Sequence, residues 1–166
     1  MATDRRVRAA IETAAFLAVA PGVVTGLVPW LITGWRPGSA RPAAMVVVGA
    51  GLAAAGVAVL LQAFGRFVLE GAGTPAPQAP TERLVVGGLY RYVRNPMYLA
   101  LQAIIVGQVL LLDRPVLLFY AAGVLGMTIA FVRIYEEPAL ARRYGEQYEA
   151  YRMAVPGWLP RWPPNR

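Results

Sequence analysis

The chain has 166 residues, of which 57% are hydrophobic and 15% charged, and its mean hydropathy of +0.48 is too high for an ordinary soluble globule, which favours a membrane protein. All 16 basic residues are arginine, so the formal charge of +7 does not titrate near neutral pH and no side chain is an ordinary neutral-pH base. The absence of cysteine and histidine excludes disulfides and zinc–thiolate sites, and no metal site and no nucleic-acid partner are expected.

Four uncharged apolar runs follow one another along the chain. They are residues Ala14–Ile32, Ala43–Gly65, Met97–Leu112 and Val116–Val132. At a rise of about 1.5 Å per residue the first two are long enough to cross a bilayer as helices. The last two become long enough when a few flanking residues join them. The sequence therefore predicts an all-α, polytopic membrane protein with about four transmembrane helices.

The arginine distribution predicts the orientation of these helices. If the runs cross in alternation, only Arg36, Arg41 and Arg114 lie on one side, and the other thirteen arginines lie on the side of both termini. The positive-inside rule then predicts that both termini are cytoplasmic. Residues 113–115 are the whole connection between the last two runs and predict a tight helical hairpin. A cleaved signal peptide is the alternative for the first run, but its apolar character continues to Ile32 and favours a retained helix.

The second run contains a glycine pattern that resembles a dinucleotide-binding turn, with Gly49, Gly51 and Gly56. No polar helix or second strand accompanies this pattern, so close packing of helices in lipid is the favoured interpretation. The stretch "GAGTPAPQAP" at 71–80 lacks the Gly-Lys-Ser/Thr ending of a phosphate-binding loop. Its prolines predict an extended cytoplasmic linker.

The chain becomes charged and aromatic after the fourth run. Pro138 disfavours helical backbone at Glu137, so the transmembrane helix is expected to kink or stop there. Beyond this point apolar and aromatic residues recur every three or four positions, which predicts one amphipathic cytoplasmic helix. The residues of that face are Leu140, Tyr144, Tyr148 and Tyr151. Gly145 within the helix indicates close backbone packing.

Two polar segments should meet at the cytoplasmic end of the hairpin. Residues 90–98, "YRYVRNPMY", lead into the third run, and Glu136 and Glu137 follow the fourth. Aromatic rings, arginines and carboxylates together suit a ligand that carries both charges and a flat ring system. S-adenosylmethionine is such a ligand, because its sulfonium and ammonium groups attract carboxylates and its carboxylate attracts arginine.

The same segments carry a family resemblance. The pattern "RNPMY" at 94–98, followed by "EEPALARRYGEQYEAYRMAVP" at 136–156, resembles the membrane methyltransferases that include isoprenylcysteine carboxyl methyltransferases and phospholipid N-methyltransferases. The family signature is Arg-His-Pro-x-Tyr, then Glu-Glu-x-x-Leu-x-x-x-Phe-Gly-x-x-Tyr-x-x-Tyr. The resemblance covers roughly residues 82–160, about half of the chain.

This resemblance implies a cytoplasmic pocket for S-adenosylmethionine that the C-terminal helices close. The cofactor-binding residues that it implies are Glu82, Arg83, Leu84, Val85, Tyr90, Asn95, Pro96, Met97, Tyr98, Glu136 and Tyr148. The residues that it implies for catalysis, by positioning the reactants, are Arg94, Asn95, Glu136 and Glu137. Glu136 would be the acidic contact, and Glu137 would support it or pair with Arg94. The candidate substrate contacts are Gln102 and Arg133.

Two positions depart from the family pattern. Asn95 replaces the family histidine, which keeps a hydrogen-bonding side chain but removes a titratable one. In the carboxyl methyltransferases an arginine is proposed to bind the substrate. The matching position in this chain is Val132, and Arg133 is the next residue. The identity of the acceptor is therefore not carried over. Structural alternatives stay open as well, since Arg94 could anchor to lipid headgroups and Gln102 could make interhelical hydrogen bonds instead of lining a substrate tunnel.

The sequence predicts one domain over residues 1–166. Its parts are two N-terminal helices (1–65), a cytoplasmic linker (66–96), the helical hairpin (97–135) and a cytoplasmic cap (136–166). The leading hypothesis is S-adenosylmethionine-dependent methyl transfer, at the cytoplasmic face of the membrane, to a lipid-like or membrane-soluble acceptor that offers a carboxylate, a thiol or an amine. The alternative is a non-catalytic membrane scaffold that keeps the cofactor pocket. A small transporter is disfavoured because the four runs contain no charged residue.

Overall fold

The computed structural model describes residues 19–38, 41–66, 69 and 83–162, and the regular structure of these residues is entirely helical, which confirms the all-α prediction. The α-helices are α1 (Val19–Thr33), α2 (Ala43–Arg66), α3 (Pro96–Leu112), α4 (Val116–Phe131), α5 (Glu137–Tyr144) and α6 (Glu146–Ala154). A 3₁₀ turn at Gly88–Arg91 leads into α3. The predicted linker at 71–80 and the start of the first apolar run lie outside the described residues.

Two of the described helices are long and apolar enough to cross a membrane. One is α2, with 24 residues, and the other is the continuous helix Val116–Tyr144, with 29 residues, which comprises α4 and α5. The described part of α1 and the whole of α3 are apolar but shorter. The hairpin predicted for the third and fourth runs is present, because α3 and α4 pack together and only residues 113–115 separate them.

The most extensive contact between helices joins α2 to α3, and glycines make it possible. A Cβ atom on Gly107 would lie 2.7 Å from the carbonyl oxygen of Gly49, and one on Gly56 would lie 2.8 Å from that of Ala100. Such distances leave no room for a side chain, so the two backbones touch. The packing interpretation is confirmed for Gly49 and Gly56, whereas a side chain at Gly51 would enter open space.

Substitution of Gly107 by alanine should therefore separate α2 from α3. We expect a loss of about 1–3 kcal/mol in the free energy of unfolding, the usual cost of overpacking a close contact. Thermal unfolding in detergent, followed by tryptophan fluorescence, measures this. The matched control is Gly126→Ala on α4, where a new Cβ meets no atom within 4 Å. Equal melting temperatures for the two variants would contradict the contact.

A π-helical turn in α1 receives polar side chains from the hairpin. In the turn Val23–Leu27 the backbone hydrogen bonds are displaced by one residue, which frees carbonyl groups. The side-chain amide of Gln108 donates to the carbonyl oxygen of Thr25, and the Tyr120 hydroxyl donates to that of Val24 at 2.7 Å. Gln108 thus makes the interhelical hydrogen bond that polar residues in apolar helices favour.

A second π-helical turn, Val132–Glu136, joins α4 to α5 and corrects one of the two outcomes expected at Pro138, a stop of the helix. The helix does not stop before Pro138, because Glu137 keeps helical dihedral angles, with φ −60° and ψ −46°. Proline lacks an N–H group and its ring crowds the carbonyl of the preceding turn in a regular α-helix. The wider π-helical turn immediately before Pro138 relieves the clash between the proline ring and that carbonyl. The chain therefore continues as a helix to Tyr144.

The C-terminal region also differs from the single helix predicted for it. Gly145 lies between α5 and α6 and separates them. Its backbone angles are φ 53° and ψ −128°, a combination that residues other than glycine rarely adopt. A Cβ atom at Gly145 would meet nothing within 4 Å. The expectation of close packing at this glycine is wrong, since glycine is used here for its backbone angles.

Candidate active site

The two polar segments predicted to meet do so at the junction of α4 and α5. The guanidinium of Arg94 donates from Nη1 to Oε1 of Glu137 at 2.7 Å and to the Tyr148 hydroxyl at 3.1 Å. The side chains of Arg94 and Glu137 are only 15% and 21% exposed, so solvent screens this ion pair little. Of the two roles expected for Glu137, the pairing with Arg94 is the one present in the structure.

Glu136 occupies the other side of the same junction. The hydroxyl of Tyr98, in the first turn of α3, donates to its Oε2 at 2.8 Å. Among the described residues Oε1 has no hydrogen-bond partner, so this carboxylate keeps one oxygen available. The Trp158 ring lies beside Tyr98, with centroids 6.3 Å apart and an angle of 35° between planes. A half-buried carboxylate thus bonds to Tyr98, whose ring lies beside that of Trp158.

Three further tyrosines surround this junction. The hydroxyl of Tyr151 donates to the Tyr90 carbonyl oxygen at 2.8 Å. Burial raises the pKa of Tyr90, Tyr148 and Tyr151, and the charge of Glu136 adds to the increase at Tyr90. These phenols therefore stay protonated at neutral pH. They can act as hydrogen-bond donors there, but not as bases.

The C-terminal segment, residues 155–162, is bound across the entrance to α3 largely by main-chain groups. Arg94 N–H donates to the Pro156 carbonyl at 2.9 Å, and Arg161 N–H donates to that of Tyr92 at 3.0 Å. The side chain of Asn95, only 7% exposed, donates from Nδ2 to the Gly157 carbonyl at 3.0 Å. At the position of the family histidine, Asn95 thus has a structural hydrogen bond to this segment.

The remaining cofactor candidates lie before and at the start of α3. Val85 is buried against Ala63 of α2 and against Tyr90, and Met97 packs on this group. Pro96 is buried at the first position of α3, where its missing N–H group is no loss. The Leu84 side chain is half-buried and that of Arg83 is exposed. Glu82 lies outside the described residues.

The two substrate candidates lie apart from each other. The Gln102 amide is oriented so that its nitrogen and its oxygen both find partners in α4. The nitrogen donates to the Ala121 carbonyl at 3.1 Å, and the oxygen accepts from the Leu125 N–H at 3.2 Å. That geometry is the interhelical hydrogen bonding given above as its alternative role. The Arg133 side chain is exposed on the second π-helical turn.

Sequence reasoning missed the contribution of the C-terminal segment to this region. No site role was predicted for Trp158 or Trp162, yet Trp158 lies beside Tyr98, and the Trp162 ring stacks on Tyr92 with centroids 5.2 Å apart. Gly157 lies so close that a Cβ atom there would be 3.2 Å from Nη2 of Arg94. The available signal was two tyrosines at 92 and 98 and two tryptophans at 158 and 162, since aromatic residues often pack in pairs.

Comparison with protein families agrees with this geometry. The family model described as phospholipid methyltransferase matches residues 44–147, well over half of the chain, from the start of α2 into α6. The matched region includes both polar segments and places the protein among the membrane methyltransferases. The chain belongs to the phospholipid methyltransferase family. Neither the curated proteins nor the solved structures give a match.

Proposed function

We propose that this protein uses S-adenosylmethionine to methylate a lipid-like or membrane-soluble acceptor at the cytoplasmic face of a membrane. Membership of the phospholipid methyltransferase family supports the reaction type and the class of acceptor. In this proposal four helices cross the membrane and both termini are cytoplasmic, as the excess of arginine on that side favours. The site residues implied by the resemblance keep their proposed roles.

The observation that carries the proposal is the environment of Glu136. Its carboxylate accepts from the Tyr98 hydroxyl, and its second oxygen has no hydrogen-bond partner among the described residues. The Tyr98 ring in turn lies beside that of Trp158. Carboxylates and aromatic faces are the groups that bind cations and planar bases. In addition, Nε of Arg94 is buried without a hydrogen-bond partner among the described residues, which leaves a donor for an anionic group. These features fit a cofactor with a sulfonium, an ammonium, a carboxylate and an adenine.

When bound, S-adenosylmethionine supplies a methyl group on an activated carbon. In this proposal Glu136 holds the cationic part of the cofactor, and Arg94 orients Glu137 and Tyr148 around it. The Tyr98 and Trp158 rings exclude water from the reacting atoms. Catalysis by positioning requires a nucleophile that is held close to the methyl carbon and in line with the bond that breaks.

The same residues limit the acid–base chemistry available. The chain has no histidine and no lysine, and burial raises the pKa of Tyr90, Tyr148 and Tyr151, so these tyrosines do not serve as bases near neutral pH. A carboxylate or thiolate acceptor needs no base. An amine acceptor would lose its proton to solvent or to a glutamate. The lack of a base among these residues therefore favours an acceptor that is already ionised when it binds.

The test is incubation of detergent-purified protein with methyl-labelled S-adenosylmethionine and a membrane extract. We expect label in the lipid fraction, and mass spectrometry of the labelled product identifies the acceptor. The matched control is the same reaction without protein. If the protein binds the cofactor but labels no extracted component, the non-catalytic scaffold is the correct function. If it neither binds nor transfers, both proposals fail.

A further inference from the structure

An apolar groove lies on the face of α3 that points away from Glu136. It has a volume of about 540 Å³, within the roughly 300–1,000 Å³ common for small-molecule sites. Its lining comes from α2, the entrance to α3, α3 itself and the C-terminal segment. The lining residues that the inference uses are Ala55, Tyr92, Pro96, Ala103, Arg161 and Trp162.

The groove lies on a different face of α3 from the one that meets Glu136, and Pro96 is the cofactor candidate that also lines it among the described residues. Pro96 and Ala103 are seven residues apart and therefore lie on one side of the helix, while Tyr98 points to Glu136 and Gln102 to α4. The groove and the carboxylate are thus on different faces. From Pro96 to Ala103 the groove follows α3 for roughly 10 Å from its N-terminal end.

The depth and chemistry of the groove match one hydrocarbon chain. On the α2 side it reaches Ala55, in the middle of a helix long enough to span a membrane. Small side chains on both helices leave a channel, and its lining has no carboxylate among the residues that the structure describes. In the hydrocarbon part of a bilayer, an apolar channel of this kind is open to lipid tails.

A positive charge lines the groove where the C-terminal segment crosses it. Among the described lining residues Arg161 is the charged one, and its main-chain N–H donates to the Tyr92 carbonyl at 3.0 Å. The neighbouring Trp162 ring stacks on Tyr92 with 9° between planes. A charged arginine beside stacked aromatic rings, at the end of an apolar channel, complements a phosphate attached to an acyl chain.

We propose that this groove binds one anionic phospholipid, with an acyl chain between α2 and α3 and the phosphate at Arg161. This lipid is distinct from the methyl acceptor, because the groove opens on the other face of α3. Its bound chain would hold residues 160–162 on Tyr92. The same C-terminal segment is bonded to Arg94 and Asn95, so the lipid also stabilises the polar site. Binding of this lipid does not depend on methyl transfer.

Native mass spectrometry of the full-length protein, released from micelles that contain phosphatidylglycerol or phosphatidylcholine, tests this. We expect one retained phosphatidylglycerol per chain and weaker retention of phosphatidylcholine. Arg161→Gln should reduce the preference for phosphatidylglycerol about fivefold, the effect of one arginine at an anionic headgroup. The matched control, Arg152→Gln on α6, should leave the preference unchanged. Equal retention of both lipids by the unmodified protein would overturn the proposal.

A second variant tests the chain-binding part of the groove. Ala55 is exposed and lines the groove, so Ala55→Phe should fill the channel and reduce lipid retention at least fivefold without disturbing a buried contact. Ala122→Phe, at an exposed position of α4 outside the groove, is the control and should retain lipid normally. Unchanged retention in Ala55→Phe would place the lipid elsewhere and refute this site.

Discussion

Replacement of Glu136 by glutamine is expected to weaken the binding of S-adenosylmethionine by roughly 10- to 100-fold, the effect of losing a hydrogen bond to a charged group. Glutamine has the same shape and can still accept from the Tyr98 hydroxyl, so the local structure is preserved. Only the negative charge beside the aromatic rings is removed. Isothermal titration on detergent-purified protein measures the change in affinity.

A second ligand makes this measurement more specific. S-adenosylhomocysteine keeps the ammonium but lacks the sulfonium, so a loss confined to S-adenosylmethionine would assign the carboxylate to the sulfonium. Similar losses for both ligands would assign it to the ammonium. The control is Glu149→Gln, whose side chain is 47% exposed on α6. If Glu136→Gln binds both ligands as the unmodified protein does, Glu136 is not the acidic contact.

Replacement of Arg94 by glutamine should have the largest effect on stability. The variant leaves the Glu137 carboxylate, only 21% exposed, without its cation, and we expect a loss of roughly 3 kcal/mol in the free energy of unfolding. For a chain of this size that corresponds to a fall of roughly 6–12 °C in Tm. Thermal unfolding in detergent, followed by tryptophan fluorescence, measures the shift.

Two companion variants separate this pair from ordinary surface charges. Arg152→Gln removes a partner of Glu149 at 3.6 Å, where both side chains are about half exposed, and should change stability by less than about 0.5 kcal/mol. The double variant Arg94→Met with Glu137→Leu removes both charges and should recover part of the loss. An Arg94→Gln protein as stable as Arg152→Gln would show that the buried pair contributes nothing.

Hydrophobic runs predicted the helical body of the protein well. The predicted second and fourth runs begin at Ala43 and Val116, where α2 and α4 begin. The two π-helical turns were not predictable, because one displaced backbone bond leaves the apolar pattern unchanged. Gly145 was misread for a related reason. A glycine at position 145 indicates that a side chain is unfavourable there, but it does not indicate whether close packing or a positive φ angle is the cause.

The candidate site was predictable where topology alone brings residues together. A short hairpin must put residues 94–98 near Glu136 and Glu137, and Arg94 does pair with Glu137. The partners of Asn95 and Tyr98 in the C-terminal segment were not predictable. Residues 155–162 have irregular backbone, and no periodic pattern indicates which groups an irregular segment contacts. Nor could the sequence separate the groove face of α3 from its Tyr98 face.

The main-chain bonds of the C-terminal segment have a consequence for how this part of the protein can vary. The family match ends at residue 147, before the segment that contacts Arg94, Asn95 and Tyr92. Carbonyl and amide groups at Pro156, Gly157 and Arg161 make those bonds, and every residue type offers a carbonyl. Substitutions that keep the path and length of the segment and the N–H of residue 161 therefore leave these main-chain bonds available, whereas Gly157 has little room for a side chain beside Arg94.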